Sequence, residues 1–420
     1  MTDAAPPDGG TTSRLAAFFT NPITLWGAFV LVHLGLGLLC LFAPGLPMGD
    51  VELYRWWVSR GTEAGLWVGI DTAWVYPIVA LVPMILASAF GSLLYPSTWL
   101  SLVMIVNAAA FAVLLTRGRA AAVGAWWWMG FLVLLGPIAL ARIDSITVPV
   151  ALAGMLLLAT RPRVAAVLLT VAAWIKVWPA ALVAAAIVAL RSRLMILMAA
   201  VVTSGVIVLT ALILGSQGNV LSFITEQTGR GVQIESPIAT FWMWDAFRGR
   251  IGGSSLYYDG SIMTYQLRGP GIEIAAAVMT PLLALAVAAL LVVAALAIRR
   301  GVAAGELLPP LVLAITTALI LFNKVGSPQF VGWLAVPIVF GLVSARIAGG
   351  PSFLVPSLLG LGIAGLTQVF YPYLYGWLLA LDVNMLVALT ARNLLYIPLL
   401  VWAIWALRRP IVEHQDREFA

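Results

Sequence analysis

The sequence predicts an all-α membrane protein that crosses the bilayer many times, and three observations lead to this prediction. Of its 420 residues, 62% are hydrophobic and only 10% are charged, and the mean hydropathy is +1.03. Soluble domains carry about a quarter charged residues and disordered chains have low hydrophobicity, so both classes are excluded. The net charge of +6 arises largely from short arginine clusters between apolar runs. Such clusters are typical of cytoplasmic loops that face anionic lipids, and they give no support for a nucleic-acid partner.

The spanning helices are predicted from the apolar runs, because about 20 apolar residues cross the hydrocarbon core of a bilayer. The clear candidates are residues 23–43, 76–94, 98–116, 120–140, 194–214, 274–298, 307–322, 330–345, 353–370 and 385–407. Residues 146–160 form a shorter run, and residues 164–190 form an unusual one. Together these runs predict about 11–13 spanning helices.

Orientation follows from the arginine clusters, which the positive-inside rule places in the cytoplasm. The clusters contain Arg117, Arg119, Arg161, Arg163, Arg191, Arg193, Arg299, Arg300, Arg346, Arg408 and Arg409. From Arg119 onward the crossings then alternate consistently. Between the first outer loop and a cytoplasmic Arg117, however, the chain must cross the membrane an odd number of times, and two candidate crossings (76–94 and 98–116) lie there. Either one of them is re-entrant, or Arg117 and Arg119 lie outside.

Residues 164–190 have basic flanks at both ends, so both ends are expected on the cytoplasmic side. This run is too short for two full crossings. We therefore predict a pair of short helices that breaks near residues 176–179, where Pro179 interrupts the helix and Lys176 lies at the tip on the outer side. Broken backbone at membrane depth is tolerated only where it lines a cavity or is buried in protein.

The predicted domain organisation is one transmembrane domain, residues 22–409, with large outer loops at 44–74 and 215–273. Residues 1–21 are predicted to be a disordered cytoplasmic tail rather than a signal peptide, because no small-residue cleavage site follows the first apolar run. Residues 410–420 are predicted to be a second cytoplasmic tail. We expect a multi-pass protein of the plasma (inner) membrane, with both termini in the cytoplasm and any active site on the extracytoplasmic face.

Cysteine and histidine are too scarce for several kinds of site. Cys40 is the single cysteine, which excludes an intrachain disulfide, and His33 and His414 are the two histidines. A Cys/His metal cluster or a Ser-His-Asp triad is therefore not expected, and we predict no metal or other cofactor. Asp50 with Glu52 could hold a metal only weakly.

The first outer loop places Asp50 and Glu52 directly after the first crossing. Tyr54 and Arg55 belong to the amphipathic stretch that follows, which we predict to be an interfacial helix. A partly desolvated carboxylate at the membrane boundary suits a general base. Asp50 is equally well explained as the N-cap of this helix.

Two further charged positions interrupt apolar sequence at Arg142/Asp144 and at Lys176. Ionisable residues at membrane depth are costly and usually functional. A local Arg142–Asp144 pair that fixes two helix ends is the alternative. Lys176 has no acidic neighbour in sequence, so it needs an anionic partner such as a ligand phosphate or Asp144, unless it extends to the interface.

Two outer segments complete the candidate site. Arg230, Gln233 and Glu235 alternate in one of them, and a cluster of Trp and Phe side chains follows; the alternative is a solvated loop with an aromatic anchor. Residues 323–329 (NKVGSPQ) place Lys324 on the outer side, where a loop should not be basic. Phosphate binding would explain this lysine, and a tight-turn connector is the alternative.

The outer face thus combines carboxylates, scattered cations and aromatic side chains. This combination suits group transfer from a lipid-linked phosphate donor. The leaving phosphate needs charge stabilisation, the acceptor hydroxyl needs a base, and aromatic faces suit sugar rings.

The chain resembles the GT-C membrane glycosyltransferases over nearly its whole length. It is most similar to the polyprenol-phosphate-mannose-dependent mannosyltransferases of glycosyltransferase family 87, which include actinobacterial enzymes that build phosphatidylinositol mannosides and lipomannan. The resemblance rests on GDVELYRWW (49–57), WVYP (74–77), RIDSITVPVAL (142–152), AAWIKVWPAALV (172–183), RGVQIES (230–236) and NKVGSPQF (323–330).

The resemblance implies a GT-C fold and an inverting transfer without a covalent intermediate. Asp50 would deprotonate the acceptor hydroxyl. The donor phosphate would be held by Lys324, Arg230, Lys176 and Arg142. The sugar or the acceptor would be contacted by Glu52, Tyr54, Arg55, Tyr76, Gln233, Glu235, Asn323 and Gln329. Some family members carry a histidine in the segment that matches 327–329; this chain has none there, so Asp50 would act alone or with Glu52.

The expected function is therefore transfer of mannose from a polyprenyl-phosphate donor to a lipid-linked glycan, with membrane lipids as further partners. An arabinofuranosyltransferase that uses a polyprenyl-phosphate donor is the nearest alternative. A lipid or solute transporter is the second, because broken helices and buried charge also suit transport.

Overall fold

The computed structural model of the protein describes residues 17–260 and 262–418, and it is mostly helical. The helices of the first half are α1 (Pro22–Phe42), α2 (Gly49–Ala64), α3 (Leu81–Ala87), α4 (Tyr95–Leu115), α5 (Ala121–Leu135), α6 (Asp144–Leu157), α7 (Pro162–Ile175), α8 (Ala180–Ala189) and α9 (Arg193–Ile213). Those of the second half are α10 (Ser222–Thr228), α11 (Thr240–Phe247), α12 (Ile272–Arg299), α13 (Ala304–Leu321), α14 (Ala335–Ile347), α15 (Leu354–Phe370), α16 (Tyr375–Leu379) and α17 (Val383–Glu418).

Both predicted tails differ from expectation in the residues that the structure describes. Helix α1 begins as predicted: the side chain of Asn21 accepts a hydrogen bond from the backbone N–H of Ile23 at 2.8 Å, and Pro22 occupies the first turn. Helix α17 continues to Glu418 and so includes most of the predicted C-terminal tail. Of the predicted N-terminal tail, residues 1–16 lie outside the described residues, and residues 17–20 are helical.

Among the described residues, eight helices are long and apolar enough to cross a membrane, so the protein is a multi-pass membrane protein. They are Pro22–Phe42, Tyr95–Leu115, Gly118–Ala139, Arg193–Ile213, Ile272–Arg299, Ala304–Leu321, Pro328–Ile347 and Val383–Arg409. The shorter apolar helices are Ile78–Ala87, Asp144–Leu157, Pro162–Ile175, Ala180–Ala189 and Leu354–Phe370. The predicted number of 11–13 counted several of these as crossings, although a helix of 14 residues is only about 21 Å long, less than the roughly 30 Å hydrocarbon core.

Between residue 74 and Arg117, the structure contains one long helix instead of the two predicted crossings. Residues 76–94 form only the short helix Ile78–Ala87, which would reach about 15 Å. Tyr95–Leu115 is then the single full-length crossing between the first outer loop and Arg117. The odd number required for a cytoplasmic Arg117 is thus available, because the first of the two runs is too short to span.

The predicted break in residues 164–190 is confirmed. Helix α7 ends at Ile175, the backbone of Lys176 is extended, and α8 begins at Ala180 directly after Pro179. Trp178 and Pro179, which lie in the break, are buried in the protein, so this part of the broken backbone is covered by protein. The break also places Lys176 at an interhelical tip, as the flanking arginines predict.

The segment 215–273, which was predicted to be a large outer loop, contains the only two β-strands among the described residues. It includes α10, α11 and an antiparallel pair of strands, β1 (Ser255–Asp259) and β2 (Thr264–Arg268), in which Ser255 pairs with Arg268 and Asp259 with Thr264. The sequence of these strands is rich in Tyr and Leu, which suit a half-buried sheet surface.

The core lies around α6, which is buried along almost its whole length. Helices α9 and α12, by contrast, have only a few buried residues each and form the periphery. Because α6 begins at Asp144, the charged pair of positions at Arg142 and Asp144 lies in the interior of the protein, at one end of this central helix.

Candidate active site

Asp50 lies in the first turn of α2, whose N-cap is Met48, so the interpretation of Asp50 as the N-cap is wrong. A carboxylate in the first turn is still favoured by the helix dipole. Tyr54 follows one turn later on the same face, whereas Glu52 is rotated by about 200° to the other side. The helix therefore directs Asp50 and Tyr54 into the protein together and separates Glu52 from them.

Arg142 holds Asp50 in place. Its Nε lies 3.2 Å from Oδ2 of Asp50, and its other nitrogens donate to the carbonyl oxygens of Pro47 and Ala141, both at 2.7 Å, and to the hydroxyl of Tyr371. Arg142 is only 2% exposed, whereas the side chain of Asp50 is 35% exposed. Arg142 was predicted to bind the donor phosphate; its nitrogens are instead engaged within the protein, where they position the partly exposed carboxylate of Asp50.

Asp144 pairs with Lys176, so the alternative of a local Arg142–Asp144 pair is wrong. Nζ of Lys176 lies 2.5 Å from Oδ2 of Asp144, and Nε1 of Trp333 donates to Oδ1 at 2.6 Å. Asp144 was one of the two partners expected for Lys176, and that expectation is confirmed. The ammonium also lies 4.9 Å from the ring centre of Phe330 and 5.8 Å from that of Trp333. Aromatic faces at these distances stabilise a cation.

The two predicted outer segments at 230–236 and 323–329 pack directly on each other. The backbone N–H of Gln233 donates to the carbonyl of Lys324 at 3.0 Å, and Oε1 of Gln233 accepts from the N–H of Gly326 at 3.2 Å. Oδ1 of Asn323 accepts from the N–H of Val325 at 2.9 Å. Gln233 and Asn323, which were predicted to contact substrate, therefore shape the loop that presents Lys324.

Gly326 is required for this contact, and Gly326→Ala is expected to lower the melting temperature of the protein. A Cβ at this position would lie 2.1 Å from the backbone N and Cα of Ser236, and backbone cannot move aside as a side chain can. Overpacking of this kind costs about 1–3 kcal/mol or more. Thermal unfolding in detergent measures the change in melting temperature. Gly229→Ala is the control, because a Cβ added at Gly229 would have no other atom within 4 Å. Equal melting temperatures for the two variants would contradict the tight contact.

Glu235 belongs to a buried cluster that the sequence reasoning did not find. It is 6% exposed, its carboxylate accepts a hydrogen bond from the hydroxyl of Tyr375, and its backbone carbonyl accepts from Arg392 at 2.8 Å. Burial raises the pKa of Glu235. Arg392 could have been found as an arginine within an apolar spanning run. Tyr371 and Tyr375 carried no signal, because the short loop after α15 was not among the predicted outer segments.

A cavity of about 400 Å³ brings several predicted residues together. Its polar lining includes Lys176, Lys324, Asn323 and Tyr76. Thr280 adds a hydroxyl to the lining, and the rest is aromatic and aliphatic: Val75, Pro77, Val177, Trp178, Ala180, Ala181, Phe223, Ile224, Leu283, Leu319, Val325, Phe330 and Trp333. Lys324 is only 7% exposed, and burial lowers the pKa of its ammonium. The cavity thus offers two ammonium groups in a largely apolar wall.

Tyr76 connects this cavity to Asp50. Tyr76 is hydrogen-bonded to Tyr54, whose hydroxyl accepts from the backbone N–H of Ile143 at 3.1 Å. Burial, together with the nearby charge of Asp50, raises the pKa of Tyr76. Tyr76 therefore lines the cavity and also lies close enough to Asp50 for the carboxylate charge to act on its hydroxyl.

Three of the predicted groups lie apart from this arrangement. Glu52 and Arg55 form a pair with each other at 2.5 Å, with about 40% of each side chain exposed, and Arg55 also reaches Ser92. Gln329 lines a different and much smaller cavity, together with Asn107. Neither the pair nor Gln329 lines the cavity that contains Lys324.

Arg230 is partly buried. Its guanidinium interacts electrostatically with the hydroxyl of Tyr76 and with the carboxylates of Glu226 and Asp259. Within the described residues, its Nε has no hydrogen-bond partner. Burial lowers the pKa of Arg230, which nonetheless stays a cation at neutral pH. Arg230 is therefore a cation near Tyr76, which lines the cavity.

Comparisons with known proteins do not identify a family for this sequence. No family profile matches the sequence, and no curated protein matches it. The resemblance to the family 87 mannosyltransferases stays a prediction. What the site offers chemically is a partly exposed carboxylate held by a buried arginine, beside an apolar cavity that contains two lysines.

Proposed function

We propose that the protein is a membrane glycosyltransferase that uses a polyprenyl-phosphate sugar as donor and a lipid-linked glycan as acceptor, on the extracytoplasmic face. The observation that supports this most directly is the cavity lined by Lys176, Lys324 and Tyr76, with Asp50 close enough to Tyr76 for its charge to raise the pKa of the tyrosine hydroxyl. Mannose is the sugar, and a phosphatidylinositol mannoside or lipomannan-like glycolipid the acceptor, that the family resemblance suggests.

The cavity suits a lipid phosphate in size and in chemistry. Its volume of about 400 Å³ falls within the range of small-molecule sites. Leu283 of α12 and Leu319 of α13 contribute to its wall, and both helices are long enough to span a membrane. A polyprenyl chain could therefore extend along these helices while its phosphate meets the lysines at the polar end.

Lys324 is the better phosphate ligand of the two lysines. Lys176 is already neutralised by Asp144 at 2.5 Å, so its attraction for a further anion is reduced. Lys324 is 7% exposed, and an adjacent phosphate would favour the charged form of its ammonium, because charges interact more strongly in such a poorly solvated place.

Asp50 suits the role of base. In the proposed reaction, the acceptor hydroxyl oxygen attacks the anomeric carbon of the donor sugar and gives its proton to the Asp50 carboxylate. The bond from the anomeric carbon to the phosphate oxygen breaks, and the phosphate leaves with the bonding electrons, stabilised by Lys324. A single displacement of this kind inverts the anomeric centre. Arg142 contributes by keeping the carboxylate in one position, which lowers the entropy cost of the encounter.

The test is a transfer assay with the purified protein in lipid, using radiolabelled polyprenyl-phosphate-mannose and an extract of glycolipids. Label that moves into a glycolipid supports the proposal. Donor binding without transfer would redirect the search to another acceptor or to an arabinofuranosyl donor. If the labelled donor does not bind at all, the glycosyltransferase proposal fails, and transport becomes the function to test next.

Lys324→Met is expected to weaken donor binding by about 10- to 100-fold, because a hydrogen bond to a charged partner contributes roughly 1.5–3 kcal/mol. Direct binding of the radiolabelled donor measures this. Arg248→Gln is the matched control, since Arg248 is an exposed cation of the other predicted outer segment (215–273) and does not line the cavity. An unchanged donor affinity in Lys324→Met would remove Lys324 from the phosphate site.

A further inference from the structure

A second, larger cavity lies between helices α12, α13 and α17. Its volume is about 600 Å³, and it shares no lining residue with the cavity that contains Lys324. Most of its lining consists of alanine and aliphatic side chains: Ala286, Ala289, Leu290, Val293, Leu296, Ala297, Ala318, Leu400, Ile404 and Leu407. The small alanine side chains leave a groove where larger residues would bring the helices into contact. Because α12 is a peripheral helix, this groove faces the surface that a bilayer would cover.

The charge on this groove is entirely positive among the described lining residues. Arg300, at the end of α12, and Arg408, near the end of the spanning part of α17, are its charged members, and no carboxylate lines it. Both arginines are exposed, so their guanidinium groups are accessible from solvent or from lipid headgroups. An apolar groove with two guanidinium groups at one end is complementary to an amphiphile with an anionic head.

The two arginines lie far from the donor-binding lysine. Arg300 comes just before α13 and Lys324 just after it, and the 18 residues of α13 extend over about 27 Å. The groove itself follows α12 from Ala286 to Arg300, a rise of about 21 Å. A donor whose phosphate binds Lys324 therefore cannot also place that phosphate at Arg300. The groove needs a different ligand, with its phosphate at the opposite end of the helices.

We propose that this groove binds an anionic glycerophospholipid, with one acyl chain along α12 and α17 and the phosphate between Arg300 and Arg408. The length of the groove matches a single acyl chain extended from a headgroup. A net negative head is favoured over a zwitterionic one, because a choline ammonium would approach the same two guanidinium groups. Each basic residue near a membrane surface strengthens the binding of an anionic lipid by about fivefold, so a preference of tenfold or more is expected for two arginines.

The experiment titrates the full-length protein in detergent with phosphatidylglycerol or phosphatidylcholine and counts bound lipids by native mass spectrometry. Wild type is expected to bind phosphatidylglycerol about tenfold more tightly. The double variant R300Q/R408Q should lose that preference. The matched control is R299Q/R409Q, which removes the same charge from the sequence neighbours that do not line the groove. Equal affinity for the two lipids, or equal loss in both double variants, would overturn the proposal.

A second variant separates a lipid from a free phosphate. Ala289 is exposed and lines the groove away from the arginines, so A289L fills the acyl-chain path without removing a charge. A lipid site predicts that A289L weakens phosphatidylglycerol binding and that excess inorganic phosphate does not displace the lipid. Binding that survives A289L and is lost to inorganic phosphate would show a simple anion site and reject the lipid. Thermal unfolding of each variant checks that the fold is retained.

Discussion

Asp50→Asn is expected to lower the rate of sugar transfer by about 10²- to 10⁴-fold while donor binding is retained, because general-base catalysis contributes this much. Asparagine keeps the size of the side chain and can still accept a hydrogen bond from Arg142, but it cannot take a proton from the acceptor. Single-turnover transfer with the radiolabelled donor measures the rate, and direct donor binding measures the affinity in the same preparation.

The control for this variant is Glu52→Gln, which removes a carboxylate from the same helix. Glu52 pairs with Arg55 on the exposed side of α2 and does not approach Arg142, so its loss should leave turnover nearly unchanged. Full transfer by Asp50→Asn would reject Asp50 as the base. If Glu52→Gln were instead the inactive variant, the base would lie on the opposite face of the helix, and the cavity would not be the active site.

Lys176→Met is expected to lower the free energy of unfolding by about 3–5 kcal/mol, because it leaves the buried Asp144 carboxylate without its counter-charge. The side chains of Asp144 and Lys176 are only 4% and 13% exposed, so solvent does little to compensate. The double variant Asp144→Asn/Lys176→Met should recover much of this loss, since it removes both charges and retains an acceptor for Trp333. Denaturant unfolding in detergent micelles measures all three proteins.

Arg55→Gln supplies the comparison for the buried pair. It breaks an ion pair of the same 2.5 Å length as the Asp144–Lys176 pair, but one that is exposed and screened, so the expected loss is below about 1 kcal/mol. Similar losses in Lys176→Met and Arg55→Gln would show that burial does not strengthen the inner pair. A double variant as unstable as Lys176→Met would show that Lys176 acts through its aromatic neighbours rather than through Asp144.

These two predictions separate two uses of charge in this protein. The Asp144–Lys176 pair is internally neutral and links the start of α6 to the break between α7 and α8. The Asp50–Arg142 pair is asymmetric, because the arginine is buried and the carboxylate is partly exposed. Only the second arrangement leaves a charged oxygen accessible to a substrate, so we expect the first pair to govern stability and the second to govern activity.

The class of the protein and the position of most helices could be predicted from the sequence, because a bilayer leaves the backbone few choices. Helices satisfy every internal backbone hydrogen bond, so a long apolar run in a membrane protein predicts a helix almost regardless of its partners. Local chemistry also suffices where a single residue decides the backbone. Pro179 breaks residues 164–190 into two helices.

The pairing of the charged residues was decided only by the tertiary structure. Arg142 is two residues from Asp144, yet it binds Asp50, because the segment between α5 and α6 contacts the start of α2, while the tip after α7 brings Lys176 to Asp144. The cluster of Glu235 and Arg392 likewise joins residues 157 positions apart. Hydropathy reports how strongly a segment prefers lipid; it contains no information on which distant side chain lies opposite a charge. The identity of the candidate base was therefore available from local sequence, whereas the buried arginine that positions it depended on long-range packing.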